Sequence, residues 1–147
     1  MTIVNKIKKL FEESTGLTLL YNNEAMVNLL IEDNPLPIGI WYLLQDGQIV
    51  ADSASGVLRE RVQARIYVGD KCENLDFNGI ENEAIIEGCR DILFRFVNSL
   101  RLSRELRLES INTYTSRRFY LETDTIITGY MVDLTISEVN GFFDCKK

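Results

Sequence analysis

No histidine occurs anywhere in the 147 residues. That absence removes the Ser-His-Asp and Cys-His nucleophile systems, together with the commonest transition-metal ligand. Cysteine is scarce as well: Cys72, Cys89 and Cys145 are odd in number and widely spaced. They make no C-x-x-C pair for a structural zinc, and an odd set suits a reducing compartment better than a disulfide framework. The only prolines are Pro35 and Pro37, and no linker-like stretch or repeat divides the chain. A single domain over residues 1–147 is expected. Nowhere is there a run of about 18 apolar residues, the length needed to span a membrane. The leading segment MTIVNKIKKLFEE has no apolar block followed by a small-residue cleavage site. The expectation is a soluble chain that stays in the cytoplasm and has no membrane partner.

Positive charge is in the minority, with 16 Lys and Arg against 22 Asp and Glu, a net charge of −6. A general binder of phosphate backbones would want the opposite balance, so no direct nucleic-acid role is expected. The nine glycines build neither G-x-G-x-x-G nor G-x-x-x-x-G-K, which leaves phosphate cradles unsupported. Asp52-Ser53-Ala54-Ser55-Gly56 lacks both the G-x-S-x-G elbow and a base, and reads as a loop. Asn78-Gly79 and Asn140-Gly141 are turn formers, and no calcium-loop spacing is present. No catalytic, cofactor-binding or metal-binding residue is assigned, no cofactor is implied, and the chain is not expected to be an enzyme.

What is present is an ordinary globular balance, 46% hydrophobic and 26% charged. Ile3, Ile7, Leu10 and Phe11 recur at helical spacing over residues 2–14, with Gly16 placed to end that helix. Leu17 to Tyr21 reads as a short strand. Asn23 is placed to cap a short helix over Glu24 to Ile31, which Pro35 would stop. The run Ile38 to Leu44 is nearly continuously apolar, as a central strand covered on both faces would be. Gln45-Asp46-Gly47-Gln48 carries the turn chemistry of a hairpin returning along Ile49 to Ala51.

The long strand Val57 to Val68 alternates: Val62, Ala64, Ile66 and Val68 take one face, Arg61, Gln63, Arg65 and Tyr67 the other. The strongest helical pattern spans Glu81 to Ser103, where Ile85, Cys89, Ile92, Leu93, Phe96 and Leu100 form an apolar stripe. At about 1.5–3 kcal/mol per buried side chain, that stripe requires a sheet or a partner to cover it. Gly88 costs helix propensity beside the stripe and suggests a close approach to a strand. Leu106 to Tyr114, Arg118 to Leu121 and Ile126 to Glu138 read as strands, the last with Tyr130, Val132, Leu134 and Ile136 inward. Blocks of strands around one long helix predict an α+β fold: antiparallel sheet packed against one long helix plus an N-terminal amphipathic helix.

Few features invite a functional reading. Cys89 lies on the helical stripe and reads as packing. The acidic pairs Glu12-Glu13, Glu32-Asp33 and Glu122 with Asp124 could do acid–base work only inside a cleft, and each falls where a solvated charge is ordinary. Arg59, Arg61, Arg65 and Tyr67 share one strand face, a positive stripe on an acidic chain. A solvated sheet face explains it, and so does a subunit contact, where Arg and Tyr are favoured. Trp41 and Tyr42, adjacent on a strand, must point to opposite faces, with at least one in the core.

Taken along the chain, the IVNKIKKLFEE helix, the PLPIGIWYLL strand and the VLRERVQARIYV strand are followed by the EAIIEGCRDILFRFVNSL helix and the TGYMVDLTISEVNG strand. In order and length this pattern resembles the tail-terminator and tail-completion proteins of long-tailed bacteriophages. The resemblance is one of architecture across most of the chain, without a signature motif. It implies a structural protein of a phage or prophage tail that acts by oligomerising into a ring, commonly of six subunits, which closes the tail tube at the head–tail junction. Its partners would be copies of itself, tail-tube subunits and head-connector proteins, and it would end in the virion. The family offers no catalytic residues to carry over. The loops at 52–56 and 115–125 would be placed to meet the tube, and the arginine stripe to meet an acidic patch on a neighbour. A head–tail connector, or another tail component of the same shape, reads alike. Two other classes remain open: a small-molecule module with Trp41, Tyr42 and Tyr67 lining a pocket, and an enzyme working with carboxylates alone.

Overall fold

Thr2 opens the first helix by accepting a hydrogen bond from the Asn5 amide at 3.2 Å. Gly16 closes it in the left-handed conformation, φ 75°, with its N–H donating to the Glu12 carbonyl at 3.0 Å. The helix between them, α1 (Ile3–Thr15), buries Ile3, Ile7 and Phe11 along one side, as the spacing predicts. The computed structural model describes residues 2–22, 37–42, 48–51, 56, 58–71, 80–109, 115–121 and 127–139. Within them α1 is followed by β1 (Leu19–Asn22), β2 (Ile38–Tyr42), β3 (Gln48–Ala51) and β4 (Leu58–Lys71). Helix α2 (Ile80–Arg101) comes next, then β5 (Leu106–Leu108), β6 (Thr115–Leu121) and β7 (Ile127–Glu138). The helix expected over Glu24 to Ile31 and the Asp-Gly turn lie outside the described residues.

All seven strands join one sheet. Its axis is the β4–β7 pair, antiparallel over eleven residues from Arg61 opposite Ser137 to Lys71 opposite Ile127. On the outer side of β4, β2 pairs with Ile66 and its neighbours, and β3 pairs with the earlier stretch Leu58 to Arg61. On the outer side of β7, β6 and β5 divide the strand in the same way. Beyond β2 lies β1, which pairs with it in parallel. The α+β class holds, and the sheet is mixed by virtue of that one parallel junction. β3, expected to fold back on the apolar strand, pairs instead with β4, the strand that follows it.

Both helices cover one face of this sheet. On that near face Val62 stands opposite Ile136, Ala64 opposite Leu134, Ile66 opposite Val132 and Val68 opposite Tyr130. All but the half-buried Tyr130 are buried. The side of α2 that meets them is Ile86, Cys89, Leu93, Phe96 and Leu100, with Ile85 and Ile92 only partly buried. The expected stripe is thus kept, with Ile85 and Ile92 packed at its margins and Ile86 buried beside it. Phe11 of α1 packs against Phe96 with ring centroids 5.1 Å apart at 60°, a tilted geometry that suits two aromatic quadrupoles.

Two glycines allow the close packing. A Cβ on Gly39 would lie 2.4 Å from the Phe11 ring, so β2 can pass beneath α1 only as glycine there. A Cβ on Gly129 would meet the Val68 carbonyl oxygen in β4. Gly88, by contrast, is exposed, and a Cβ there meets nothing within 4 Å. The expected close approach at Gly88 is not made, because that position turns to solvent while the residue after it, Cys89, turns inward. A final link joins the chain's early and late elements: Lys6 Nζ donates to Glu138 Oε2 at 2.6 Å, fastening α1 to the end of β7.

Candidate interface on the far face of the sheet

The residues between the near-face positions point away from the helices. In β4 these are Arg59, Arg61, Gln63, Arg65 and Tyr67, so the predicted stripe does share one face; its four candidate residues are all half-buried. The surroundings change along it. Tyr67 stands opposite Ile40 on one side and Met131 on the other, both buried. Leu20, Ile38, Ile40 and Met131 make this end of the far face apolar and buried, which explains why β2 carries Ile38 and Ile40 on the face turned from the helices as well as Trp41 on the near face. The other end, around Arg59 and Arg61, is polar.

Arg65 sits between the two zones and is already committed. Directly opposite it in β7 is Asp133, and the guanidinium grips that carboxylate with two hydrogen bonds, Nε to Oδ1 at 2.7 Å and Nη2 to Oδ2 at 3.1 Å. The fork geometry matches a carboxylate's two oxygens. Hydrogen bonding to Asp133 raises the Arg65 pKa from its ordinary value, with burial opposing and Tyr67 adding to the rise. The two side chains remain 30% and 35% exposed. Solvent screening therefore holds the pair to about 1 kcal/mol. Arg59, Arg61 and Tyr67 also make interactions within the chain. The stripe is accordingly a set of positioned groups rather than a row of solvated charges.

Of the expected aromatic pocket, Trp41 and Tyr67 do not meet, and the Tyr42 side chain lies outside the described residues. Trp41 is opposite Ile66 on the near face and lies in the core, 2% exposed, whereas Tyr67 is on the far face. One strand thickness separates them, so no cavity can be lined by both. A shallow groove of about 440 Å3 runs along α1, but its walls are Asn5, Lys8, Lys9, Glu12 and Glu13, all on a solvent-facing helix side. Ligand pockets are enclosed, whereas this groove is open and bordered by charged and polar side chains.

The acidic pair Glu12-Glu13 does not converge. Glu12 Oε2 accepts from the Leu19 amide at 3.2 Å, and Glu13 lies 4.0 Å from Lys9. Glu32, Asp33, Glu122 and Asp124 lie outside the described residues, as do Cys72 and Cys145. Cys89 is in the core, where burial pushes its thiol up to about 12, with the Asp70 carboxylate adding to the shift. Of the two loops expected to meet a tube, residues 52–55 lie outside the described residues. Thr115 to Leu121, in the other, is a strand paired with β7.

Three residues of this face were not singled out by sequence reading. Asp133 faces Arg65, while Ser137 and Arg107 lie in the register row of Arg61. Alternation in β7 places Asp133 and Ser137 on the face opposite Val132, Leu134 and Ile136, but their partners follow only from strand register. Among the described residues no helix is long and apolar enough to cross a membrane. Compared with models of known protein families and with curated proteins, the chain matches none of them.

Proposed function

We propose that this chain is a structural subunit of a phage or prophage tail, a terminator or completion component that assembles into a ring at the head–tail junction. The observation that carries the reading is the two-sided sheet: helices close one face, while the other presents Arg59, Arg61, Arg65 and Tyr67, half-buried and held in place. Arginine and tyrosine fixed at the margin of an apolar zone are the residues that protein contacts use most, because each gives large contact area with directional hydrogen bonding. A contact between unlike faces of successive copies is heterologous and closes into a ring when the rotation allows. Cytoplasmic assembly, followed by residence in the virion, goes with this role.

Sedimentation velocity of the purified chain, alone and mixed with tail-tube subunits, tests the proposal. Concentration-dependent assembly into a discrete closed species, or capture by tube ends seen by electron microscopy, is expected. A strict monomer indifferent to tube subunits would overturn it.

A further inference from the structure

One flank of α2 carries a row of three exposed residues, Glu87, Phe94 and Arg101. They stand seven residues apart, so successive members point the same way to within about 20° and lie about 10 Å apart along the axis. Phe94 is the centre of the row. Its ring meets the Tyr130 ring edge-on, with centroids 6.1 Å apart at 89°, and the Arg90 guanidinium carbon lies 6.0 Å from its centroid. Both contacts fix how the ring is presented, since an aromatic quadrupole favours an edge-on neighbour and a cation over its face. Yet the residue stays 47% exposed, so an oriented aromatic surface still faces water. Half-buried Val97 borders it one turn on. An aromatic held in place and rimmed by charged residues has the makeup of a contact centre.

We infer that this flank of α2 binds the same flank of a second copy of this chain, the two helices lying antiparallel about a twofold axis at Phe94. A symmetric antiparallel pairing centred there brings together residues equidistant from Phe94, so Glu87 of each copy meets Arg101 of the other, twice over. The two Phe94 rings meet at the centre, and the charged pairs at either end screen them from water. A parallel pairing would set Glu87 beside Glu87 and Arg101 beside Arg101. Charge complementarity therefore selects the antiparallel arrangement. Within its own chain Glu87 is held only loosely, 3.7 Å from Arg90 with its side chain 68% exposed, so its carboxylate is open to a second cation. The contact goes beyond the ring reading and does not depend on it. It uses the helix-covered side of the molecule and leaves the far face of the sheet free, so one subunit can make both.

Sedimentation velocity of the full-length chain over a concentration series tests this, with circular dichroism melts to check folding. The wild type should form a dimer, or paired rings where the ring assembles as well. Phe94→Ser, Glu87→Arg and Arg101→Glu, each alone, should weaken that pairing by about tenfold or more at a nearly unchanged melt. The first removes the apolar centre, and the other two set like charges together. Glu87→Arg combined with Arg101→Glu in one chain should pair again, because the swapped charges complement each other about the same axis. A wild type that stays monomeric, or that forms single rings which do not pair, overturns the inference. Pairing undiminished by Phe94→Ser and Arg101→Glu also overturns it, and leaves the assembly reading standing. Single variants that dissociate without recovery in the charge-swapped chain overturn the antiparallel arrangement. A wild type that stops at the dimer and ignores tail-tube subunits upholds the contact and overturns the ring reading instead.

Discussion

The two faces of the β4–β7 pair are built from alternate residues of the same strands, yet they hold together by different physics. The near face is a set of apolar cross-strand pairs, Val62 with Ile136, Ala64 with Leu134 and Ile66 with Val132, sealed beneath α2. Its stability comes from removing carbon from water, which is insensitive to the orientation of any one group. The far face is held by directional contacts, chiefly the two-bond grip of Arg65 on Asp133, in partial contact with solvent. Such contacts contribute little to stability but are demanding in geometry. Changes on the near face should therefore cost the most stability, and changes on the far face much less.

The sharpest way to break the comparison is to hollow out the near face. Phe96→Ala removes a fully buried ring that stacks on Phe11 and should cost about 3–5 kcal/mol. Urea denaturation would read this as a fall in midpoint at unchanged slope. A loss below about 1 kcal/mol would mean that the two helices are not seated as described.

On the far face, Arg65→Glu sets two carboxylates directly opposite each other across β4 and β7. The expected loss is about 1–2 kcal/mol, larger than for an isolated surface charge but well short of a core deletion. Combining it with Asp133→Arg should return most of that loss, and the double-mutant cycle measures the pair directly. Because Arg65 is engaged within the chain, its substitution reports on the sheet.

The smallest effect concerns Cys89. Its folded thiol is raised from an ordinary value of 9.0 to about 12, first by burial and then by the Asp70 carboxylate. Below pH 9 the thiol is neutral whether the chain is folded or not, so its contribution to stability is complete. Above pH 9 the unfolded chain ionises while the folded one does not, and stability is lost progressively toward pH 12. Between pH 7.5 and 9.5 the wild type should lose about 0.8 kcal/mol more than a Cys89→Ala variant does. Parallel urea titrations of both proteins at the two pH values check this, and identical pH dependence would place the thiol in contact with water.

Much of the fold was legible because it depends on periodicity. Val62 to Val68 and Val132 to Ile136 declared their buried faces by simple alternation, and Ile3, Ile7 and Phe11 declared the side of α1 that docks. The helical stripe was legible as well: Cys89, Leu93, Phe96 and Leu100 are buried, Ile85 and Ile92 pack at its edges, and only the buried Ile86 was not foreseen. Periodicity read on a helix defines a sector, and the neighbouring strands choose its centre. The partner of β3 was misread, because an Asp-Gly turn indicates where a chain reverses but not which strand receives it. Gly88 was misread for a related reason. A glycine signals missing bulk, and only the opposing surface tells whether the gap is used, as at Gly39 and Gly129, or left empty. Of the candidate interface, Arg59, Arg61, Arg65 and Tyr67 were legible as a shared face, whereas Asp133, Ser137 and Arg107 were not. Their meeting requires strands distant in sequence to pair in one register out of several.

By itself the sequence determined the α+β class, the near-face residues of the long strands and the presence of one arginine-bearing face. Each of these follows from local alternation of polar and apolar side chains. Only the tertiary structure decided that Arg65 is bound to Asp133, that Trp41 and Tyr67 are divided by the sheet, and that a buried serine lies between two arginines. These depend on which strands lie side by side and in what register, a choice made by the packing of the whole core and encoded at no single position.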